Sequence, residues 1–243
     1  MKITGIQKRN LAAIVLTSAL VLALLAGVIY NSVQYANGAL APAMFRRRIG
    51  FAGICALMFA LVFAVQWIFR IRFPLFMELS LLLFAFACLA GGTVFGFYLT
   101  VPHWDKVLHT TSGFLFSAVG LTLARLLLSK DEADAKHIIA TVLIAFFFSL
   151  AVGYVWEIYE YTLDSLGSSD LQRWAENIIE TLPDGTYLVS DKRGSALHDT
   201  LGDMIVNFIG TIVFLVPMLI LFFKKPNTLT LFDVKKSKRK EQA

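Results

Sequence analysis

Long apolar runs separated by short polar breaks dominate the chain. Six of them, at about residues 11–30, 49–69, 75–99, 107–128, 138–163 and 200–223, are long enough to cross a hydrocarbon core. Such a core is about 30 Å thick and needs about 20 helical residues at 1.5 Å each. The pattern predicts an all-α, polytopic helical membrane bundle of about six transmembrane helices. One membrane domain spans residues 1–223, and a short basic tail follows at 224–243.

The one long break, residues 165–199, has a pattern of its own. In "SSDLQRWAENIIETL" the apolar residues Leu171, Trp174, Ala175, Ile178, Ile179 and Leu182 recur at helical spacing. Ser169 and Gln172 fit a capping box at its start. This predicts an amphipathic interfacial helix over 169–182, lying on the outer leaflet in the outer loop. Pro183, Asp184 and Gly185 signal a turn, and "TYLVS" followed by "KRGSA" suggests a short hairpin.

Composition agrees with the runs. Hydrophobic residues make up 57% of the chain and charged residues 16%, against about 25% charged in soluble domains. Mean hydropathy is +0.69. Cys55 and Cys88 both fall inside apolar runs and read as small buried hydrophobes rather than a disulfide. The net charge of +5 does not argue for nucleic acid. The basic residues lie mainly in loops and tails, where topology and anionic lipid account for them, so membrane lipid is the expected partner.

Lysine and arginine positions set an orientation. With the N-terminus inside, the cytoplasmic segments hold Lys2, Lys8, Arg9, Arg70, Arg72, Lys130, Lys136 and seven in the tail, fourteen in all, against seven outside. Both termini are therefore expected in the cytoplasm. Arg46, Arg47 and Arg48 depart from the rule; the plain reading is a tolerated local exception, and the sharper one is an anion or lipid-headgroup contact on the outer face. The first run follows Lys2, Lys8 and Arg9 like a signal peptide. Its apolar core of 20 residues exceeds the usual h-region of about 7–15, which favours an uncleaved span.

Three places break the apolar pattern with chemistry. "VPHWDKVLHTTSGF" opens the fourth run with His103, Asp105, Lys106 and His109. "GYVWEIYEYTLDSLG" closes the fifth with Glu157, Glu160, Tyr161 and Asp164 at i, i+3, i+4 and i+7. "HDTLGDMIVNFIG" opens the sixth with His198, and Asp199, Asp203 and Asn207 at successive spacings of four. Run four starts outside, run five ends outside and run six starts outside, so all three clusters should meet at the outer face. Charged groups within a span should face a bundle interior or a water-filled cleft. Carboxylates gathered with imidazole can bind a divalent metal ion, with mixed His and carboxylate suiting Zn, Mn or Fe, or can serve as general acid and base. The alternatives are helix pairing through polar groups and a translocation pathway.

Other groups read more plainly. His103 reads as interfacial, His137 as solvated in a cytoplasmic loop, and Glu78 as a partner for Arg70 or Arg72. Gly92 and Gly96 form a G-x-x-x-G packing motif.

"DKVLH" before one span, a glutamate late in the next and "DMIVNFIG" opening another resemble the VanZ-like bacterial membrane proteins and the related YjdF-like family of unknown function. Asp105, Lys106 and His109 match D-K-x-x-H. Glu157 matches the start of E-x-x-Q, with Glu160 where glutamine is usual. Asp203, Asn207 and Gly210 match D-x-x-x-N-x-x-G. The resemblance covers about residues 100–223 and implies a multi-pass protein of the bacterial plasma membrane, without implying a reaction.

The resulting expectation is a cation-assisted hydrolase or transferase acting on a cell-envelope lipid or lipid-linked group. Asp105, His109, Glu157 and Asp203 would hold the cation or move the proton. Lys106, Glu160, Asp199, Asn207 and His198 would support them, and the helix at 169–182 would cover the cleft. The alternatives are a transporter or proton-coupled permease for an anionic lipid or small solute, and a scaffold whose polar cluster fixes helix pairing.

Overall fold

A computed structural model describes residues 5–128, 134–166, 171–172, 178–181, 187–189 and 196–236. Among these, six helical segments are long and apolar enough to cross a membrane: Leu11–Ala36, Pro42–Ile68, Leu75–Val94, Trp104–Leu127, Ala135–Ser165 and Ala196–Lys224. The chain is thus an all-α polytopic membrane protein, as the runs predict. Large apolar side chains such as Phe147, Val155, Ile205 and Ile220 stay exposed on the helices, as lipid-facing residues do. The chain divides into two compact units.

The first unit comprises Met1–Trp104, Arg125–Glu132 and Pro226–Ala243. Helices α1 (Gly5–Ala36), α2 (Pro42–Ile68) and α3 (Leu75–Ala85) pack around Leu20, Leu24, Ala52, Cys55, Phe59, Leu82, Ala90 and Val94. From Phe86 to Val94 the third span continues as a π-helix. Gly96, at φ +78°, ends it in a left-handed turn that glycine adopts without a Cβ clash, and the short α4 (Phe97–Thr100) follows. Gly92 is covered by the ring of Tyr98. The predicted Gly92/Gly96 motif therefore serves a chain reversal and a ring contact, not a groove for a neighbouring helix.

Asn31 is fully buried in this unit and holds it together. Its amide donates to the carbonyls of Gly27 (2.8 Å) and Val94 (3.1 Å), and its oxygen accepts from Arg48 (2.7 Å). Arg48 is thus engaged within the protein, while Arg46 and Arg47 are exposed. Glu78 is buried in the first turn of α3. Among the described residues no arginine pairs with it, contrary to expectation; a carboxylate suits a helix N-terminus without one.

The start of the predicted tail is ordered. A 3-10 turn at Pro226–Phe232 buries Leu229 and Phe232, and Phe232 meets Phe76 edge-on at 5.4 Å. Arg125 Nε lies 2.9 Å from Asp233 Oδ1. Strand β1 (Ile71–Arg72) pairs antiparallel with the last strand, Lys235–Lys236.

The second unit comprises Asp105–Ala124 and Ala133–Lys225. It holds most of α5 (Trp104–Leu127), all of α6 (Ala135–Ser165) and all of α7 (Ala196–Lys224). Glycines let these backbones approach. A methyl group at Gly113 would overlap the backbone of Asn207 and Thr211, and one at Gly210 the carbonyl of Thr110. Gly120 sits against the backbone of Ala145. Asp134 caps α6 by accepting from the His137 amide at 2.8 Å. His137 is buried there, not solvated as its loop context suggests.

The loop before α7 departs from expectation. Ile178–Thr181 (β2) and Tyr187–Val189 (β3) are antiparallel strands, with Thr181 opposite Tyr187. The helix predicted over 169–182 does not hold at these positions, and Leu171 and Gln172 form a bend. The Ile-Ile-Glu-Thr run is β-branched in sequence, and strand pairing with Tyr187–Val189 wins over a short helical period. The partner predicted for "TYLVS" is likewise replaced by β2. The rest of the predicted helix and of "KRGSA" lies outside the described residues.

Candidate functional site

Antiparallel connection places the start of α5, the end of α6 and the start of α7 at one end of the second unit. Each of these ends carries its polar residues on the face turned to the other two. Asp105, His109, Glu157, Glu160, Asp203 and Asn207 are all buried. Their helical spacing does this. Asp105 and His109 lie one turn apart on α5, Glu157 and Glu160 one turn apart on α6, and Asp203 and Asn207 one turn apart on α7.

His109 is the centre. Its Nε2 lies 3.8 Å from Asp105 Oδ1 and 3.9 Å from Asp203 Oδ1, and its Nδ1 lies 3.6 Å from Glu157 Oε1. These separations are too long for hydrogen bonds. They are close to the spacing between ligands around a small divalent cation bonded at about 2.0–2.2 Å. Two sets of donor atoms lie within 4.8 Å of one another: Asp105 with His109 and Asp203, and His109 with Glu157 and Glu160.

Lys106 balances one side. Its Nζ lies 2.7 Å from Asp199 Oδ1 and 2.7 Å from Asp203 Oδ2, and it also donates to the Asp199 carbonyl. Asp203 therefore turns one oxygen to Lys106 and the other to His109. Glu160 Oε1 accepts from the Trp156 indole at 2.8 Å, which fixes its side chain. Among the described residues, Asp105 Oδ2, both oxygens of Glu157, Glu160 Oε2 and Asp203 Oδ1 have no hydrogen-bond partner. The Thr200 hydroxyl also lies near Glu157.

Asn207 supports the centre from one turn deeper. Its Nδ2 donates to Ser112 Oγ (2.8 Å), and Ser112 Oγ donates to the His109 carbonyl (2.7 Å). Below this, Ser149 meets Thr211 at 2.9 Å, and Ser149 and Ser117 both donate to the Gly113 carbonyl. Ser112, Ser117 and Thr211 are absent from the sequence-predicted set. Hydroxyl residues in a span often bond only their own helix, so their spacing gives little signal.

The remaining candidates lie elsewhere. His103 is exposed in the turn ahead of α5, and His198 is exposed in the first turn of α7. Tyr161 is exposed, off the face shared by Glu157 and Glu160. Asp164 accepts from the amides of Leu171 (2.8 Å) and Gln172 (2.9 Å), so it anchors the loop. Gln172 in turn donates to Thr200 Oγ1 at 2.8 Å.

Residues 12–224 match the family described as "Predicted membrane protein (DUF2238)". The chain belongs to this family. The DUF2238 match takes in all six candidate spans almost completely and the whole cluster from Asp105 to Asn207. Its description speaks of a membrane and names neither a reaction nor the VanZ-like proteins. Among curated proteins and among solved structures, nothing matches the chain.

Proposed function

We propose that this DUF2238 protein is a cation-assisted hydrolase or transferase acting on a cell-envelope lipid or lipid-linked group. The observation that carries the reading is the set of carboxylate oxygens of Asp105, Glu157, Glu160 and Asp203 that are buried around one imidazole without a hydrogen-bond partner among the described residues. Buried carboxylates without partners are strongly unfavourable, and a divalent cation relieves that penalty. Asp105, His109, Glu157, Glu160 and Asp203 supply the donor set, and mixed nitrogen and oxygen donors suit Zn, Mn or Fe. A cation held there polarises a phosphoryl or carbonyl oxygen as a Lewis acid.

The chain's own groups do the rest. Lys106 holds Asp199 and Asp203 in position, and the Asn207–Ser112 pair fixes α7 against α5 beside His109. The excess of lysine and arginine in the other loops and tails supports a cluster at the outer face of the membrane with both termini inside. The resemblance of the D-K-x-x-H and D-x-x-x-N-x-x-G elements to VanZ-like proteins supports the same compartment.

Elemental analysis of the purified protein in detergent, repeated on Asp203→Ala, tests the reading. A near-stoichiometric metal that vanishes in the variant is the expected result. Equal trace metal in both sinks it.

Transport is the second reading, and the Ser112–Asn207 and Ser117–Ser149–Thr211 layers beneath the cluster favour it. They extend polar character toward the other end of the unit. The Gly120–Ala145 backbone contact lies below them. Uptake of an anionic solute into vesicles holding the purified protein, abolished by Thr211→Val, would favour transport over catalysis.

A further inference from the structure

The cluster is lopsided about His109, and the lopsidedness selects a seat for the cation. We infer that the ion binds on the Nδ1 side of the imidazole, held by His109, Glu157 and Glu160, while Asp105 and Asp203 orient the ring from its Nε2 side. This rests on the cation reading and narrows it to three ligands on two helices.

A neutral imidazole has one lone pair. One side of His109 can ligate, and the other carries N–H and points to a hydrogen-bond acceptor. The two sides differ in charge already spent. On the Nε2 side, Asp203 gives one oxygen to Lys106, and Lys106 also holds Asp199. Asp105 and Asp203 there present Oδ1 atoms at 3.8 and 3.9 Å from Nε2, placed to receive an N–H after a small closing movement. On the Nδ1 side, Glu157 and Glu160 are each about nineteen-twentieths buried, at 4% exposure. Among the described residues no lysine or arginine pairs with either. Among the described residues both oxygens of Glu157 and Oε2 of Glu160 are without a hydrogen-bond partner, against Asp105 Oδ2 and Asp203 Oδ1 on the other side.

The donor atoms of this trio all lie within 4.8 Å of one another. The indole of Trp156 holds Glu160 Oε1, which leaves Oε2 to the ion. A metal-ligating histidine usually donates its second ring N–H to a carboxylate, which fixes its tautomer. Asp105 and Asp203 fill that place here. Two carboxylates and one imidazole at a divalent ion leave open positions for water or a substrate oxygen.

The test is a Mn2+ titration of the purified, metal-stripped protein in detergent, read by the free-ion EPR signal. It is run on the wild type and on the isosteric variants Glu160→Gln and Asp105→Asn. Losing an orienting partner costs about 10- to 100-fold in metal affinity. Asp105→Asn is expected near the lower end of that range, and Glu160→Gln, which loses a ligand, at least tenfold beyond it. The reverse order overturns the assignment, and equal losses overturn it in favour of one undivided cage. Unchanged affinity in both shows the ion elsewhere and overturns it as well. No binding to the wild type defeats the cation reading itself, a separate outcome from a wrong side.

Zn2+ loading of protein labelled with 15N-histidine guards against misfolded variants, because it uses the native sequence. The His109 signals, assigned by their loss in His109→Gln, should show the metal on Nδ1. A shift characteristic of metal on Nε2 refutes the proposal whatever the variants do.

Discussion

Lys106 Nζ lies 2.7 Å from Asp203 Oδ2, and the aspartate is wholly enclosed. The lysine begins the fourth span and the aspartate lies in the sixth, so the pair joins α5 to α7 at the cluster. Removing one member of a buried pair leaves the other uncompensated, which costs about 3–5 kcal/mol. Lys106→Met should destabilise the protein by about 3 kcal/mol, near the lower end because the lysine is part exposed. Adding Asp203→Asn should recover part of the loss. Thermal or SDS unfolding in detergent, arranged as a double-mutant cycle, measures both.

Gly113 and Gly210 mark where α5 and α7 touch backbone to backbone. Gly210→Val should destabilise by about 3 kcal/mol or more, since no flexible side chain can move aside. Gly53→Ala is the matched control. Nothing lies within 4 Å of a methyl group there, so it should cost no stability and, mid-helix, gain up to about 1 kcal/mol. The difference between the two melting curves is the readout.

Asn207 and Ser112 share one hydrogen bond inside the second unit. Such interhelical bonds are worth about 0.6 kcal/mol on average and at most about 1.7. Asn207→Leu should exceed that range, because Gly153 packs against the amide: a methyl at Gly153 would come within 2.9 Å of Asn207 Oδ1. The larger leucine would press on the same spot. Ser112→Ala removes the same bond with almost no change of shape or charge, so it should fall inside the range. Unfolding of the two variants side by side separates bond from packing.

Asp233 ties the segment after α7 to Arg125. Asp233→Ala should loosen the turn at Pro226–Phe232 and expose the chain beyond it. Limited trypsin digestion should then cut at Lys235 and Lys236 several-fold faster than in the wild type, with the spans intact. An unchanged rate would mean that the Phe76–Phe232 contact and the strand pairing suffice.

The spans were legible because a hydrocarbon core leaves a length and a composition in the chain that no local detail can hide. The meeting of Asp105, His109, Glu157 and Asp203 was legible for a related reason: helices that alternate in direction bring every second end together. Glu160 was harder to weigh. Its place beside the imidazole depends on the Trp156 indole, a contact that spacing alone does not announce. Ser112, Ser117 and Thr211 were missed because a hydroxyl in a span usually bonds its own helix. Asn31 was missed, and Arg48 was read as an outward-facing charge, because their bond crosses a turn between helices. The strand at Ile178–Thr181 was misread because a few apolar residues fit a helical and an extended period alike.

The contact of Gly113 with Gly210 also sets a fixed spacing between α5 and α7. It lies about one turn below His109, and two rods that already touch there cannot draw closer or slide freely.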